Sequence, residues 1–174
     1  MPAPRFVDQL NTQIGHELAA HNQYLACAIH YDALTMPRMA DFFYRQAEEE
    51  RGHALMMVQY LVDTDEPVVV PAVPAPQSTF ADLVEPVRLA LEQERTVTDQ
   101  VNGLLRTARE ESDYASEQFL QWFIKEQVEE VATMSDLLAV VTRNRDDVED
   151  VEEYVARELG AEGEDPTAPR QAGA

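Results

Sequence analysis

The sequence predicts an all-α fold: a four-helix bundle with a long crossover between the second and third helices and a short fifth helix. Three observations predict it. Apolar residues recur at spacings of three and four through four long stretches. The connections within the first pair and within the second pair are only a few residues long, which makes each pair an antiparallel hairpin. The connection between the pairs is long and carries Pro67, Pro71, Pro74 and Pro76, which exclude a helix interior. With 174 residues, 45% of them hydrophobic, the chain can bury one sizeable core.

The first helix is expected from Arg5 to about Ala33, after Pro2 and Pro4. Its periodic positions are Phe6, Val7, Leu10, Ile14, Leu18, Leu25, Ala28 and Ile29, interrupted only by Gly15. Glu17 and Tyr24, seven residues apart, share the face that carries Leu10, Ile14 and Ala28. Met36 precedes a proline and is pushed away from helical geometry, whereas Pro37 suits the first turn of the second helix. That helix should run to about Val62, with the stripe Phe43, Ala47, Glu50, His53, Ala54, Met57 and Leu61 turned inward.

Residues 63 to about 80 form the crossover, with Val68-Val69-Val70 as a short extended apolar run. A helix of roughly 26 residues is about 40 Å long, and roughly 18 extended residues reach about 60 Å. The crossover can therefore climb the whole bundle and start the third helix at the opposite end. The third helix should begin between Asp82 and Pro86, with Leu83, Val87, Leu91, Glu94, Val97, Val101 and Leu105 inside. Glu110 to Asp113 mark a tight turn, with Ser112 or Asp113 as the next N-cap. The fourth helix is expected from about Tyr114 to Arg143, presenting Phe119, Phe123, Gln127, Glu130, Met134, Leu137 and Val141. Asp146 or Asp147 should cap a fifth helix, with the stripe Val148, Val151, Val155 and Leu159, ended by Gly160. Residues 1–160 are read as one domain, and 161–174, rich in Gly, Ala, Pro and acid, as a flexible tail.

Charge narrows the function classes. Asp plus Glu number 33 against 13 Lys plus Arg, a net charge of −20. Such a chain repels phosphate backbones and attracts cations, so nucleic acid is not expected as a partner. Its lone cysteine, Cys27, excludes an internal disulfide and a Cys-x-x-Cys metal knuckle. Met1 to Leu10 is mixed and polar, unlike a signal peptide, and no apolar run reaches the length of a membrane span. A soluble cytoplasmic protein with no membrane partner is expected.

Within this frame four apolar stripes are interrupted near mid-helix by polar groups: Glu17, the pair Glu50/His53, Glu94, and the pair Gln127/Glu130. Glu50 and His53 form Glu-x-x-His, which aims both side chains the same way, one turn apart. One such residue alone would be read as a satisfied core polar group. Several buried carboxylates at one level repel each other and are costly to desolvate, and a pair of cations removes that cost. Carboxylate-rich coordination with a single imidazole suits iron or manganese better than zinc or copper.

On these residues the chain resembles the non-haem ferritins, over almost its whole length. The resemblance implies an intrasubunit di-iron ferroxidase centre. Glu17, Glu50 and His53 match its first iron site, with Glu50 as the bridge. Glu94, Gln127 and Glu130 match the second, and Tyr24 matches a tyrosine beside the centre that supplies an electron. Glu49, Glu126 and Glu129 match a third site. Being displaced by about 100° from the inward residues, they would face the inner surface, where a solvated acidic face is the alternative. Glu117, with Asp113 beside it, matches an acid of the three-fold entry channels. His16, His21 and His30 lie off the constellation and are read as exposed or locally bonded.

Two departures separate neighbouring families. Where bacterioferritins repeat Glu-x-x-His, this chain has Gln127-Val128-Glu129-Glu130. Where they have a haem-ligating methionine after the bridging glutamate, it has Arg51, so no haem is expected. The resemblance further implies a homo-oligomeric shell of 24 subunits, with the fifth helix around four-fold axes and residues 68–70 at two-fold contacts. The shell would oxidise Fe²⁺ with dioxygen or peroxide and store ferric oxide inside. The same ligands would also serve a di-iron or di-manganese oxidase or peroxidase without storage, or survive as vestiges in a structural helical oligomer.

Overall fold

The computed structural model describes residues 1–160, 163 and 165–173. Five helices follow in order: α1 (Pro4–Ala33), α2 (Pro37–Asp63), α3 (Glu85–Glu110), α4 (Tyr114–Arg143) and α5 (Val148–Glu158). No strand occurs among the described residues. Proline occupies the first turn of α1, α2 and α3, where its missing N–H costs nothing. Of the alternatives left by sequence, Asp113 caps α4 by accepting from Ser116 N (3.1 Å), and Asp147 caps α5 by accepting from Asp150 N (3.2 Å). Asp82 accepts from the backbone N–H groups of Val84 and Glu85, both at 2.9 Å, and so opens α3.

The crossover runs alongside α1, in the same direction, and is pinned at successive levels. Asn11 donates to the Pro67 carbonyl (3.0 Å) and accepts from Val69 N (2.6 Å). Gln23 and Gln77 exchange two bonds of 2.9 and 2.8 Å, and the Tyr31 hydroxyl donates to the Leu83 carbonyl at 2.6 Å. Gly15, the one break in the α1 pattern, sits beneath this strap. A Cβ there would lie 2.5 Å from Cγ of Pro71, so the close approach requires glycine. The crossover thus delivers α3 to the C-terminal end of α1, and the two helices pack antiparallel.

Two apolar clusters fill the bundle, one at each end. One joins Tyr24, Tyr31, Phe43, Val87, Leu91, Met134 and Leu137; the other joins Phe6, Leu10, Ile14, Met57, Val101, Leu120 and Phe123. The polar mid-helix residues form the layer between them.

Several expectations are corrected. Leu25 and Ile29 are 37% and 55% exposed, because they lie on the side of α1 away from the α2 and α3 contacts. Near the end of α3 the core residue is Leu104, with Leu105 only half-buried. In α5 only Val151 and Val155 are buried, while Val148 is 39% exposed. Gly160 does not adopt a left-handed conformation; the C-cap is Leu159. Within the expected tail, 161, 162, 164 and 174 lie outside the described residues. Others lie against the bundle: Asp165 accepts from Trp122 Nε1 (3.1 Å), and Ala172 N donates to the Leu55 carbonyl (3.1 Å).

The docking of α5 compensates for a missing cap. No side chain of its own caps α2. Instead Glu152 of α5 accepts from Arg38 N (2.8 Å) and Met39 N (2.9 Å), placing a carboxylate at the positive end of the α2 dipole. Glu152→Ala is expected to destabilise the subunit by about 1 kcal/mol and to speed hydrogen exchange of the α5 amides, with Glu152→Gln intermediate. Unchanged exchange in α5 would show that Val151 and Val155 hold it unaided.

Candidate metal centre

All six inward residues named from sequence, together with Tyr24, are buried in the polar layer. Glu17 comes from α1, Glu50 and His53 from α2, Glu94 from α3, and Gln127 and Glu130 from α4. Oxygens of Glu17 and Glu50 and a ring nitrogen of His53 lie within 4.8 Å of one another. His53 Nδ1 is 3.4 Å from Glu50 Oε2 and 3.9 Å from Glu17 Oε2. Glu17 Oε2, Glu50 Oε2 and His53 Nε2 are buried with no hydrogen-bond partner. Orphaned buried acceptors are costly, and the two carboxylate oxygens converging beside His53 Nδ1 fit a cation.

The other half is arranged differently. The Tyr24 hydroxyl donates to Glu94 Oε1, and Gln127 Nε2 donates to Glu94 Oε2 at 3.0 Å. Both oxygens of Glu94 are therefore engaged, and a cation entering here must displace a hydrogen bond. The asymmetry is chemical as well: the first half offers an imidazole, the second only oxygens and an amide.

Electrostatics describe a site short of positive charge. Burial, then the charges of Glu94 and Glu17, push Glu50 well above the usual carboxyl range. Burial and the neighbouring Glu94 and Glu49 do the same to Glu130. Glu94 is raised to about 7, mainly by burial, with the Tyr24 hydrogen bond pulling the other way. Tyr24 is itself raised by burial and by Glu94, so its phenol stays protonated and donates. Among the described residues no arginine or lysine pairs with this layer, so a metal would be the neutralising partner.

On the outward side of α2 and α4, Glu49, His53 and Glu126 also offer ligand atoms within 4.8 Å of one another. Burial, then Glu49 and Glu129, raise Glu126 to about 7. Glu129 departs from this group. Its side chain is 55% exposed and 3.7 Å from Lys125, and it meets Glu49, Glu126 and Glu130 only along the wall of a cavity of about 110 Å³. His53, not Glu129, completes the triad in this arrangement.

Other residues named from sequence take simpler roles. His21 bonds to the Ala47 carbonyl at 2.6 Å, and His30 packs edge-on against Phe80. Glu117 accepts from Arg109 Nε (2.8 Å), and Asp113 also accepts from the Ala3 N–H (3.0 Å). Trp122 meets His53 edge-on, with ring centres 5.5 Å apart. Sequence reasoning passed over Gln13, whose Nε2 donates to Glu17 Oε1 at 2.8 Å. Its only signal was its place four residues before Glu17, on the same helix face.

Comparison with known proteins shows the family and the fold. The family described as Ferritin-like domain matches residues 7–144. Ferritin BfrB of Mycolicibacterium smegmatis is 46% identical over 169 residues, covering 97% of this chain and 93% of the relative. The bacterial non-heme ferritin of Staphylococcus aureus is 35% identical over 161 residues, covering 92% and 96%. Among solved structures, an open pore ferritin from Archaeoglobus fulgidus superposes with a TM-score of 0.84 at 27% identity, covering 88% of this chain and 95% of that one.

The raised carboxyls set a pH dependence for the metal-free protein. A carboxyl whose folded pKa is raised contributes stability that is complete below its ordinary value and lost as pH rises through the folded value. For Glu94 that window runs from the ordinary 4.5 to about 7; Glu50 and Glu130 act in the same direction. Metal-free protein should therefore be less stable to denaturant at pH 8 than at pH 5.5, and Glu94→Gln should flatten the difference. A wild-type profile that rises toward pH 8 would contradict this.

Proposed function

This chain is a member of the ferritin family, and on that premise we propose that it oxidises Fe²⁺ at the buried carboxylate–histidine layer and stores the ferric product as an oxide mineral. The supporting observation is the convergence of the partnerless Glu17 Oε2 and Glu50 Oε2 on His53 Nδ1, 3.9 and 3.4 Å away. Iron is the substrate and the cargo. Glu17, Glu50 and His53 take the first Fe²⁺; Glu50 faces both halves and bridges to a second, taken by Glu94, Glu130 and Gln127.

Each Fe²⁺ gives one electron, so a pair supplies two to dioxygen or peroxide. Oxygen ligands stabilise the ferric product, and the low number of protein ligands leaves positions open for the oxidant. In this reading Tyr24, whose hydroxyl donates to Glu94, gives a further electron. Glu49 and Glu126, with His53 and the cavity wall of Glu129 and Glu130, supply the next acidic stop toward the surface of α2 and α4.

A storage role also requires an assembly. We read the chain as the subunit of a homo-oligomeric shell of 24 copies, located in the cytoplasm and without haem. The exposed Leu25, Ile29, Val69 and Val70 supply apolar surface for such contacts. No described helix is long and apolar enough to cross a membrane. The oxidase reading without storage uses the same centre and differs only in the fate of the product.

Aerobic addition of Fe²⁺ to the purified, iron-free assembly should leave many irons per subunit retained in a large particle, and Glu50→Ala should abolish the fast oxidation phase. Release of soluble ferric product from a small oligomer would instead favour the oxidase. Anaerobic titration with Fe²⁺ should fill the Glu17/Glu50/His53 half before the Glu94/Glu130 half. Equal affinity at the two would contradict the asymmetry.

A further inference from the structure

Gln13 lies one turn before Glu17 on α1 and is only 2% exposed. A glutamine amide has two N–H donors on one side and a carbonyl acceptor on the other. Both kinds of group are engaged here. Nε2 donates to Glu17 Oε1 (2.8 Å) and to Gln100 Oε1 on α3 (3.1 Å). Oε1 lies 3.1 Å from His16 Nδ1, which completes the set as a donor. The opposite amide orientation would turn Oε1 onto two other oxygens, so these contacts select one orientation and hold it.

The consequence falls on Glu17. Its Oε1 is claimed by Gln13, while its Oε2 has no partner and points to His53, 3.9 Å from Nδ1. We propose that Gln13 is a positioning residue that divides the two oxygens of Glu17, keeping Oε1 for itself and leaving Oε2 as the single metal-binding atom. His16 and Gln100 act through Gln13: the first fixes which way its amide faces, and the second anchors it to α3. One-oxygen binding by Glu17 keeps a coordination position free on the first metal for the oxidant. The proposal rests on the reading of this layer as a metal site and adds the binding mode of one ligand.

The test uses the full-length, iron-free assembly titrated anaerobically with Co²⁺, followed by its visible absorption and by the infrared carboxylate bands. Loss of a residue that orients a metal ligand lowers metal affinity by about 10–100-fold. Gln13→Leu should therefore weaken the tighter Co²⁺ site by about tenfold or more, and should narrow the splitting of the Glu17 carboxylate bands as both oxygens become available. His16→Phe should give a smaller loss in the same direction. Gln100→Leu, which removes the α1–α3 anchor but leaves the Glu17 contact, should give a smaller loss of affinity and a smaller change in splitting than Gln13→Leu. Should Gln13→Leu fail to assemble, Gln13→Asn, with its amide withdrawn by one methylene, must show the same weakening.

Wild-type affinity and splitting in the Gln13 variants would overturn the proposal, as would an equal loss in Gln100→Leu. Failure of the wild-type protein to bind Co²⁺ in the layer would overturn the metal-site reading itself, and the proposal with it.

Discussion

Four carboxylates held at one level of a helical core are the constraint on which the rest of this structure depends. Glu17, Glu50, Glu94 and Glu130 are each 5% exposed or less. Desolvating one ionised carboxylate costs on the order of several kcal/mol, and mutual repulsion raises that cost for a group of four. Burial and neighbouring charge answer in the only way open without a cation, by shifting Glu50, Glu94 and Glu130 toward the protonated form. Bound protons relieve the layer, and a cation in the proposed metal site would do the same.

The surrounding fold makes such a layer tolerable. Each apolar cluster closes one end of the bundle, so the cost of the polar level is offset from both sides. The crossover is fastened to α1 from Asn11 to Tyr31, and this fixes the level at which α3 presents Glu94. Glu152 fastens α5 to the start of α2. The two halves of the layer then differ in readiness. Partnerless atoms wait on the Glu17/Glu50/His53 side, whereas Glu94 is already bonded to Tyr24 and Gln127.

Much of this was legible in the sequence, for a physical reason. A polar side chain at an inward position of an amphipathic helix violates the apolar period, and six such violations near mid-helix, four of them carboxylates, point to one layer. Helix limits were legible where proline and aspartate act locally, as at Pro37, Asp113 and Asp147. Features that depend on contacts between distant segments were not. Nothing in the α1 pattern separates the exposed Leu25 and Ile29 from its core residues, because that depends on where α2 and α3 lie. Glu152 looks like any acid on a polar face until the start of α2 is beside it. Gln13 fits a polar helix position and gains meaning only from the Glu17 oxygen it holds. The Glu129 side chain turns toward Lys125, a choice that spacing alone does not make.

The measurement closest to the central claim is anomalous diffraction at the iron edge from crystals of the assembly prepared anaerobically with Fe²⁺. Two iron peaks inside each bundle, one among Glu17, Glu50 and His53 and one among Glu50, Glu94 and Glu130, are the predicted result. Iron confined to surface acids, with the polar layer empty at saturating Fe²⁺, would contradict the account.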